Sequence, residues 1–216
     1  MRSIVLIGGG EHACVVAEAL RSRDSAVPLL GYVDPRAGCP AEVRLGLRRL
    51  GGDEWLRDRG DVALLLGVGE VGVGDLRCTL VRRLGFSDDR WTSVVHASAV
   101  VSPSAMVGAG AVVMAGAVVQ AGAFVGRYAV VNTAAVVEHD VVIGDFAQVG
   151  PGAVIGGGAH LDAGAYVALG ARVRDHIRIG ARALVAMGAV AVHDVRAGAT
   201  VLGIPARERG DGPVRH

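Results

Sequence analysis

The chain has 216 residues and carries 22 basic against 21 acidic side chains, balanced at 13 to 13 before residue 95 and 9 to 8 after it, so no nucleic-acid partner is expected. All the basic residues are Arg, so no lysine can act as a Schiff base or general base. A composition 51% hydrophobic but only 4% aromatic, with 33 glycines, cannot fill a wide core with rings and must bring backbones close together, which disfavours an ordinary helical bundle.

In chain order, residues 3–7 read as a buried strand, followed by the glycine turn Gly8-Gly9-Gly10-Glu11-His12-Ala13 and a helical pattern through Leu20. A second strand is predicted over 29–33, ending at Asp34; residues 53–59 read as helix, 62–66 as strand and 75–84 as helix. These elements make a small α/β unit with a parallel sheet. Gly8-x-Gly10-x-x-Ala13 also fits the dinucleotide fingerprint, with Asp34 near the usual ribose-binding position, although Glu11 inside the turn would oppose a pyrophosphate. Cys14, Cys39 and Cys78 include no CxxC pair, which suits a reducing compartment. The start of the chain has no signal-peptide cleavage pattern, so a cytoplasmic location is expected. Residues 97–126 carry no charge and are long enough to span a bilayer, but their periodicity is not helical and no membrane segment is expected.

That periodicity is six. From Val95 to residue 191, every sixth position is Val, Ile or Leu, with Ala at 191, giving seventeen hexads over 95–196 without an insertion. Four residues after each comes Ala, replaced by Val141, Ile177 and Val195 in three hexads. The position after the aliphatic residue is often glycine, as in Gly108, Gly126, Gly144, Gly150, Gly156 and Gly180. The physical reading is a parallel β-helix of hexapeptide repeats. Three hexads make one triangular coil, aliphatic residues point inward, small residues fit the corners, and coils stack at about 4.8 Å. The open faces and end of such a solenoid favour oligomerisation.

Ile4-Val-Leu-Ile-Gly-Gly-Gly-Glu-His12, Gly31-Tyr-Val-Asp34, His96-Ala-Ser-Ala-Val-Val-Ser-Pro-Ser-Ala105, Asn132-Thr-Ala-Ala-Val-Val-Glu-His-Asp140 and Gly203-Ile-Pro-Ala206 together resemble a known family. It is the left-handed β-helix sugar acetyltransferases of the sialic-acid O-acetyltransferase and nucleotide-aminosugar N-acetyltransferase type, and the resemblance covers nearly the whole chain. It implies a Rossmann-like α/β domain over 1–94 that binds a nucleotide-linked sugar, and a left-handed β-helix over 95–216 that binds acetyl-CoA between subunits of a homotrimer. It implies His139 as general base, Asp140 as the carboxylate that orients it, and Asn132 as a helper for the imidazole or acceptor. Gly157, one coil after His139, would supply an oxyanion amide. Gln148 would lie near the acetyl group, and Leu169, Met187 and the Gly203–Pro205 turn would line the CoA groove. Gly8, Gly10, Glu11, His12, Asp34, Gly69 and Glu70 would meet the acceptor. The implied reaction is direct N-acetylation of a nucleotide-linked amino-deoxysugar, with sugar O-acetylation and a non-catalytic nucleotide-binding scaffold as alternatives.

The chemistry suits the pair. An amine or hydroxyl must lose a proton to attack a thioester, and an imidazole beside a carboxylate can take it near neutral pH. On position alone, the corner holding His139 suits a solvated turn equally well; the surrounding motif is what points to catalysis. Gln148 stands where family members have a histidine and cannot shuttle protons; half a coil from His139, it lies on a different face of its own chain. Glu70 replaces an asparagine and Glu11 a glycine, adding two carboxylates near an expected diphosphate unless both point elsewhere. His96 reads as structural, and His160, His176 and His193 as solvent-facing corner residues. His139, His160 and His176 lack the closely spaced pair that a zinc site requires, so no metal is expected.

Overall fold

The computed structural model describes residues 2–23, 27–70 and 72–209. The first part folds as a four-stranded parallel sheet of β1 (Ser3–Ile7), β2 (Leu29–Val33), β3 (Arg49–Gly51) and β4 (Val62–Leu66), in the order β3-β2-β1-β4. Helices α1 (Glu11–Arg21), α2 (Pro40–Leu45) and α3 (Leu76–Leu84) connect or follow the strands. β1, β2 and β4 take the bounds that the apolar runs predict. α2 and β3 escaped the pattern, because six and three residues are too few for a periodicity to register. α2 carries Pro40 in its first turn and stops at Gly46 in the left-handed conformation, φ 63°. The helix expected over 53–59 is only a 3-10 turn at Asp53–Leu56.

From Val94 onward the hexads wind into a coil of short strands with three faces, the first begun by Val94–Val95, the second by Val100–Val101 and the third by Met106–Val107. Most pair in parallel with strands 18 residues before and after, as Val130–Val131 does with Val112–Val113 and Gln148–Val149. The second residue of each strand points inward. Val113, Val131 and Ile143, with corner alanines such as Ala117 and Ala135, form one continuous aliphatic core. Glycine follows where the coils nearly touch: a Cβ on Gly126 would lie 2.7 Å from the carbonyl carbon of Gly144 in the next coil.

The expected run of seventeen unbroken hexads is corrected at its end. Ile179 bridges to Val195 and Leu184 pairs with Thr200, each only 16 residues on. The corner after Ala191 is two residues short, which moves Val195 from a corner into an inward strand position. The tail then folds back. Thr200–Leu202 pairs antiparallel with Arg207–Glu208, the Val190 amide donates to the Gly203 carbonyl at 3.0 Å, and the Ala206 amide donates to the Val190 carbonyl at 2.8 Å.

The sheet and the coil share their packing. Val94, Val112 and Val130, which point outward on one coil face, bury against Ala13, Val16 and Ala17 of α1. Tyr128 lies edge-on to Trp91 at 5.2 Å and stacks on Phe146 at 4.7 Å, joining the coil to the β4 side of the sheet. Full burial of a valine contributes about 2 kcal/mol, so the three valines under α1 make a substantial seam. Among the described residues no helix is long and apolar enough to cross a membrane; the charge-free stretch 97–126 forms coil strands and corners.

Candidate active site

Val137 points into the core, and the next four residues turn the corner between the second and third coil faces, lifting His139 and Asp140 to the surface. Asp140 takes a left-handed φ of 58°. This brings its Oδ2 within 2.9 Å of His139 Nδ1. A proton on Nδ1 donated to that carboxylate leaves Nε2 as the lone-pair nitrogen, turned away from Asp140. The hydrogen bond to Asp140, helped by the charges of Asp140 and Glu138, raises the imidazole pKa above its ordinary value. Both side chains are largely exposed, at 60% and 72%.

One coil further on, Gly157 lies directly against the ring. A Cβ there would be 2.6 Å from Nε2 and 2.8 Å from Cε1. The neighbouring Gly158 amide donates to the His139 carbonyl at 2.9 Å, tying the two corners together. The Gly157 amide itself donates to no group among the described residues. The base nitrogen and Gly157, buried beneath the ring, therefore lie side by side at one corner.

The other residues singled out on the coil lie elsewhere. Asn132 sits on the corner between the first and second faces, where its Oδ1 accepts from the Thr133 amide at 2.8 Å; within one chain it does not meet His139. Leu169 and Met187 share that Asn132 corner two and three coils on, 56% and 76% exposed, with Ile204 of the tail at 75%. Gln148 starts a first-face strand and lines a cleft against α3. His176 and His193 occupy corners as expected, but His160 is the outward residue of a third-face strand, which corrects its assignment to a corner.

In the first part of the chain the glycine turn is tightly determined. Gly8 has φ 93°, and a Cβ on Gly9 would lie 2.8 Å from the Cys39 Cβ. The Gly9 amide donates to Asp34 Oδ2 at 3.1 Å, and Arg36 donates to Asp34 through its backbone and side chain. Burial pushes the Asp34 carboxyl up, but the hydrogen bonds from Arg36 and Gly9 and the guanidinium charge outweigh it and hold the pKa below its ordinary value. The two added carboxylates have partners. Glu11 is exposed and pairs with Arg44 at 3.0 Å, while Glu70 Oε1 accepts from the Leu76 amide at 2.8 Å, capping α3.

His12 packs over Gly69, where a Cβ would lie 2.9 Å from its own Cβ. Its Nε2 is buried without a hydrogen-bond partner. Burial, reinforced by the positive charge of Arg77, lowers its pKa to about 4. A histidine that is neutral when folded but has an ordinary pKa of 6.5 when unfolded leaves the unfolded chain binding more protons between those values. Stability is therefore complete above pH 6.5 and falls as pH drops toward 4, by about 3 kcal/mol in total. His12→Gln is expected to flatten that part of the curve, measured as urea midpoints at pH 4.5 and 7.5; an undiminished slope in the variant would assign the effect to other groups.

Arg77 was missed. A charged residue in a helix reads as solvated, yet Arg77 is 1% exposed, and its Nη2 donates to the Tyr128 carbonyl at 2.7 Å. The signal was available: Arg77 stands three, four and seven residues before Leu80, Val81 and Leu84, on the apolar stripe of α3.

Among the described residues no group of three or more His, Cys, Asp or Glu side chains is placed to hold a metal ion. No protein-family profile matches the chain, and no curated protein sequence matches it. Solved structures do. A histidine-to-asparagine variant of perosamine N-acetyltransferase from Caulobacter crescentus, in complex with CoA and GDP-perosamine, is 34% identical, covers 97% of each chain and superposes with a TM-score of 0.85. The acetyltransferase domain of PglB from Neisseria gonorrhoeae, in complex with acetyl coenzyme A, is 32% identical over 96% of this chain and 99% of that one, with a TM-score of 0.81. WeeI from Acinetobacter baumannii, 24% identical over 97% of this chain, shares the fold with a TM-score of 0.77. With its hexad coil and these likenesses, the chain belongs to the left-handed β-helix, hexapeptide-repeat family of acetyl-CoA-dependent sugar acetyltransferases.

Proposed function

We propose that this chain acetylates the amino group of a nucleotide-linked amino-deoxysugar directly from acetyl-CoA, as a homotrimer. In this reading residues 1–94 hold the acceptor and residues 95–216 the thioester. The observation that carries the proposal is the corner where His139, held by Asp140 at 2.9 Å, lies over Gly157 with its unpartnered amide. The Caulobacter crescentus relative, crystallised with CoA and GDP-perosamine, supports the substrate class.

His139 Nε2 takes a proton from the acceptor amine as its nitrogen attacks the thioester carbonyl carbon. The Gly157 N–H faces the oxygen on which negative charge develops. When the carbon–sulfur bond breaks, the imidazolium returns the proton to the leaving thiolate. Asp140 fixes the tautomer and favours the protonated ring that forms midway. No covalent acyl-enzyme is required, and no cysteine lies on the coil. The trimer is supported by the exposure of Leu169, Met187 and Ile204 and by the separation of Gln148 from His139 around one coil, which a neighbouring copy can bridge.

The test is thiol release from acetyl-CoA with GDP-, UDP- and dTDP-linked 4-amino sugars, their 4-hydroxy counterparts and free sialic acid. Release with an amino sugar and formation of a base-stable amide are expected. Base-labile ester formed only on hydroxyl sugars would replace this reading by O-acetylation, and no release with any acceptor would reject it.

A further inference from the structure

Three glycines, Gly156, Gly157 and Gly158, stand in a row at the corner one coil beyond His139, and each has a different neighbour. Gly156 meets the backbone of the next coil, and Gly157 lies under the His139 ring. A Cβ on Gly158 would collide with Nδ1 of His176 and lie 2.7 Å from its Cε1. Two imidazoles therefore rest on one glycine step, whose consecutive Cα atoms are about 3.8 Å apart. They approach it from opposite coils. The Gly158 amide donates to the His139 carbonyl, and the His176 amide donates to the Gly157 carbonyl, each at 2.9 Å. His139 reaches forward along the coil axis, and His176 folds back toward it.

The two rings are set differently. His139 gives Nδ1 to Asp140, which leaves Nε2 to accept a proton. His176 is exposed, and neither of its ring nitrogens has a hydrogen-bond partner among the described residues. The carboxylate beside it, Asp175, is turned to Arg174 at 3.8 Å. His176 thus keeps a ring N–H available in either tautomer. Height along the coil decides which part of a thioester each ring meets. In the transferase reading the CoA arm runs past Leu169 and Met187, two and three coils beyond Asn132, which shares its coil with His139. His176 stands two coils beyond Asp140, on that same side of the base. The acceptor nitrogen and the carbonyl carbon therefore belong at His139, and the sulfur with the arm behind it lies toward His176.

We propose that His176 is a second catalytic imidazole, which donates a ring N–H to the sulfur of acetyl-CoA as the thiolate leaves. The carbon–sulfur bond breaks with its electron pair going to sulfur, and the hydrogen bond from His176 stabilises the charge that forms there. The proton that His139 took from the amine then returns to the sulfur, and His176 ends the cycle unchanged. This rests on the transferase reading for the identity of the thioester. It divides the work between an imidazole with a carboxylate, which serves the nucleophile, and one without, which serves the leaving group. It also accounts for glycine at both 157 and 158, since a side chain at either would push one ring off the shared step.

The test compares the full chain with His176→Gly, because the corner has φ 55° and glycine takes it without strain while losing only the ring. Bound CoA is titrated through the ultraviolet absorbance of its thiolate, and transfer from acetyl-CoA is followed in single turnovers. In the wild type the bound thiol is expected to ionise below the ordinary thiol value of about 8.5. In His176→Gly its ionisation should move up by about one pH unit or more, and transfer should slow about 10–100-fold, as for loss of a hydrogen bond to a charged group. CoA affinity, measured where the thiol is protonated, is expected to stay within twofold, and the melting temperature should be no lower. The proposal is overturned if CoA does not bind the wild type or if its thiol ionises alike in both proteins. It is also overturned if transfer by His176→Gly stays within twofold of wild type, or if CoA binding weakens while the transfer rate is kept. Failure of the transferase reading is a separate result. Absence of thiol release from the wild type with every acceptor would remove transfer, while a His176-dependent shift in the bound CoA thiol would still place the ring at the sulfur.

Discussion

His139→Ala is expected to lower kcat by about 10²–10⁴-fold, the usual loss when a general base is removed, with CoA affinity and thermal stability close to wild type. Stability should be spared because the side chain is 60% exposed and its one side-chain hydrogen bond is to an equally accessible carboxylate. The pH profile gives a second reading. The hydrogen bond that His139 donates to Asp140 raises the imidazole pKa, so the neutral, proton-accepting form becomes abundant only above the ordinary value of 6.5. The acid limb of kcat should therefore lie above that pH. Asp140→Asn removes both the charge and the preferred tautomer, so it is expected to move the limb downward while reducing the plateau. Turnover of His139→Ala within a few-fold of wild type would rule out the imidazole as base.

Gly157→Ala is expected to cost about 10²-fold in kcat, although it adds one methyl group. The added carbon would lie 2.6 Å from Nε2 and 3.1 Å from Cδ2, well inside contact distance, so the ring must swing away from its place over Gly157. A displacement of about 1 Å in a reacting group is enough for a loss of that size. The ring is exposed and can move, so the melting temperature should change little. Comparing kcat with unfolding midpoints checks this; a variant that melts early and retains specific activity would contradict it. The adjacent Gly156 differs in kind, because its Cβ would meet the backbone of residues 174 and 175 rather than a mobile ring.

The coil was legible because each hexad repeats the same physical demand, an inward aliphatic residue and a small residue at the bend, and seventeen repetitions leave little ambiguity. The period also placed His139 on a corner and Gly157 one coil beyond it. It could not show that Asp140 adopts φ 58° and turns its carboxylate onto Nδ1. The period also misled where it ended: Val195 fits the hexad count but is pulled inward by a shortened corner, since register in the last coil is set by pairing with Ile179. The carboxylates of Glu11 and Glu70 looked hostile to a ligand in the sequence, and only their partners, Arg44 and the Leu76 amide, reveal other duties. Arg77 stands on the apolar stripe of α3, which marks its side as buried, but its partner, the Tyr128 carbonyl 51 residues away on the coil, is a contact that no local pattern encodes.

The folded-back tail has a consequence for how the molecule behaves at high concentration. A stack of identical parallel rungs would otherwise finish in a row of unsatisfied amides and carbonyls with the same spacing as its own interior, a template onto which another molecule could add. The antiparallel segment Arg207–Glu208, the shortened corner and the Gly203 and Ala206 bonds to Val190 disrupt that template with mismatched direction and spacing. They act as a chain terminator against end-to-end fibre growth.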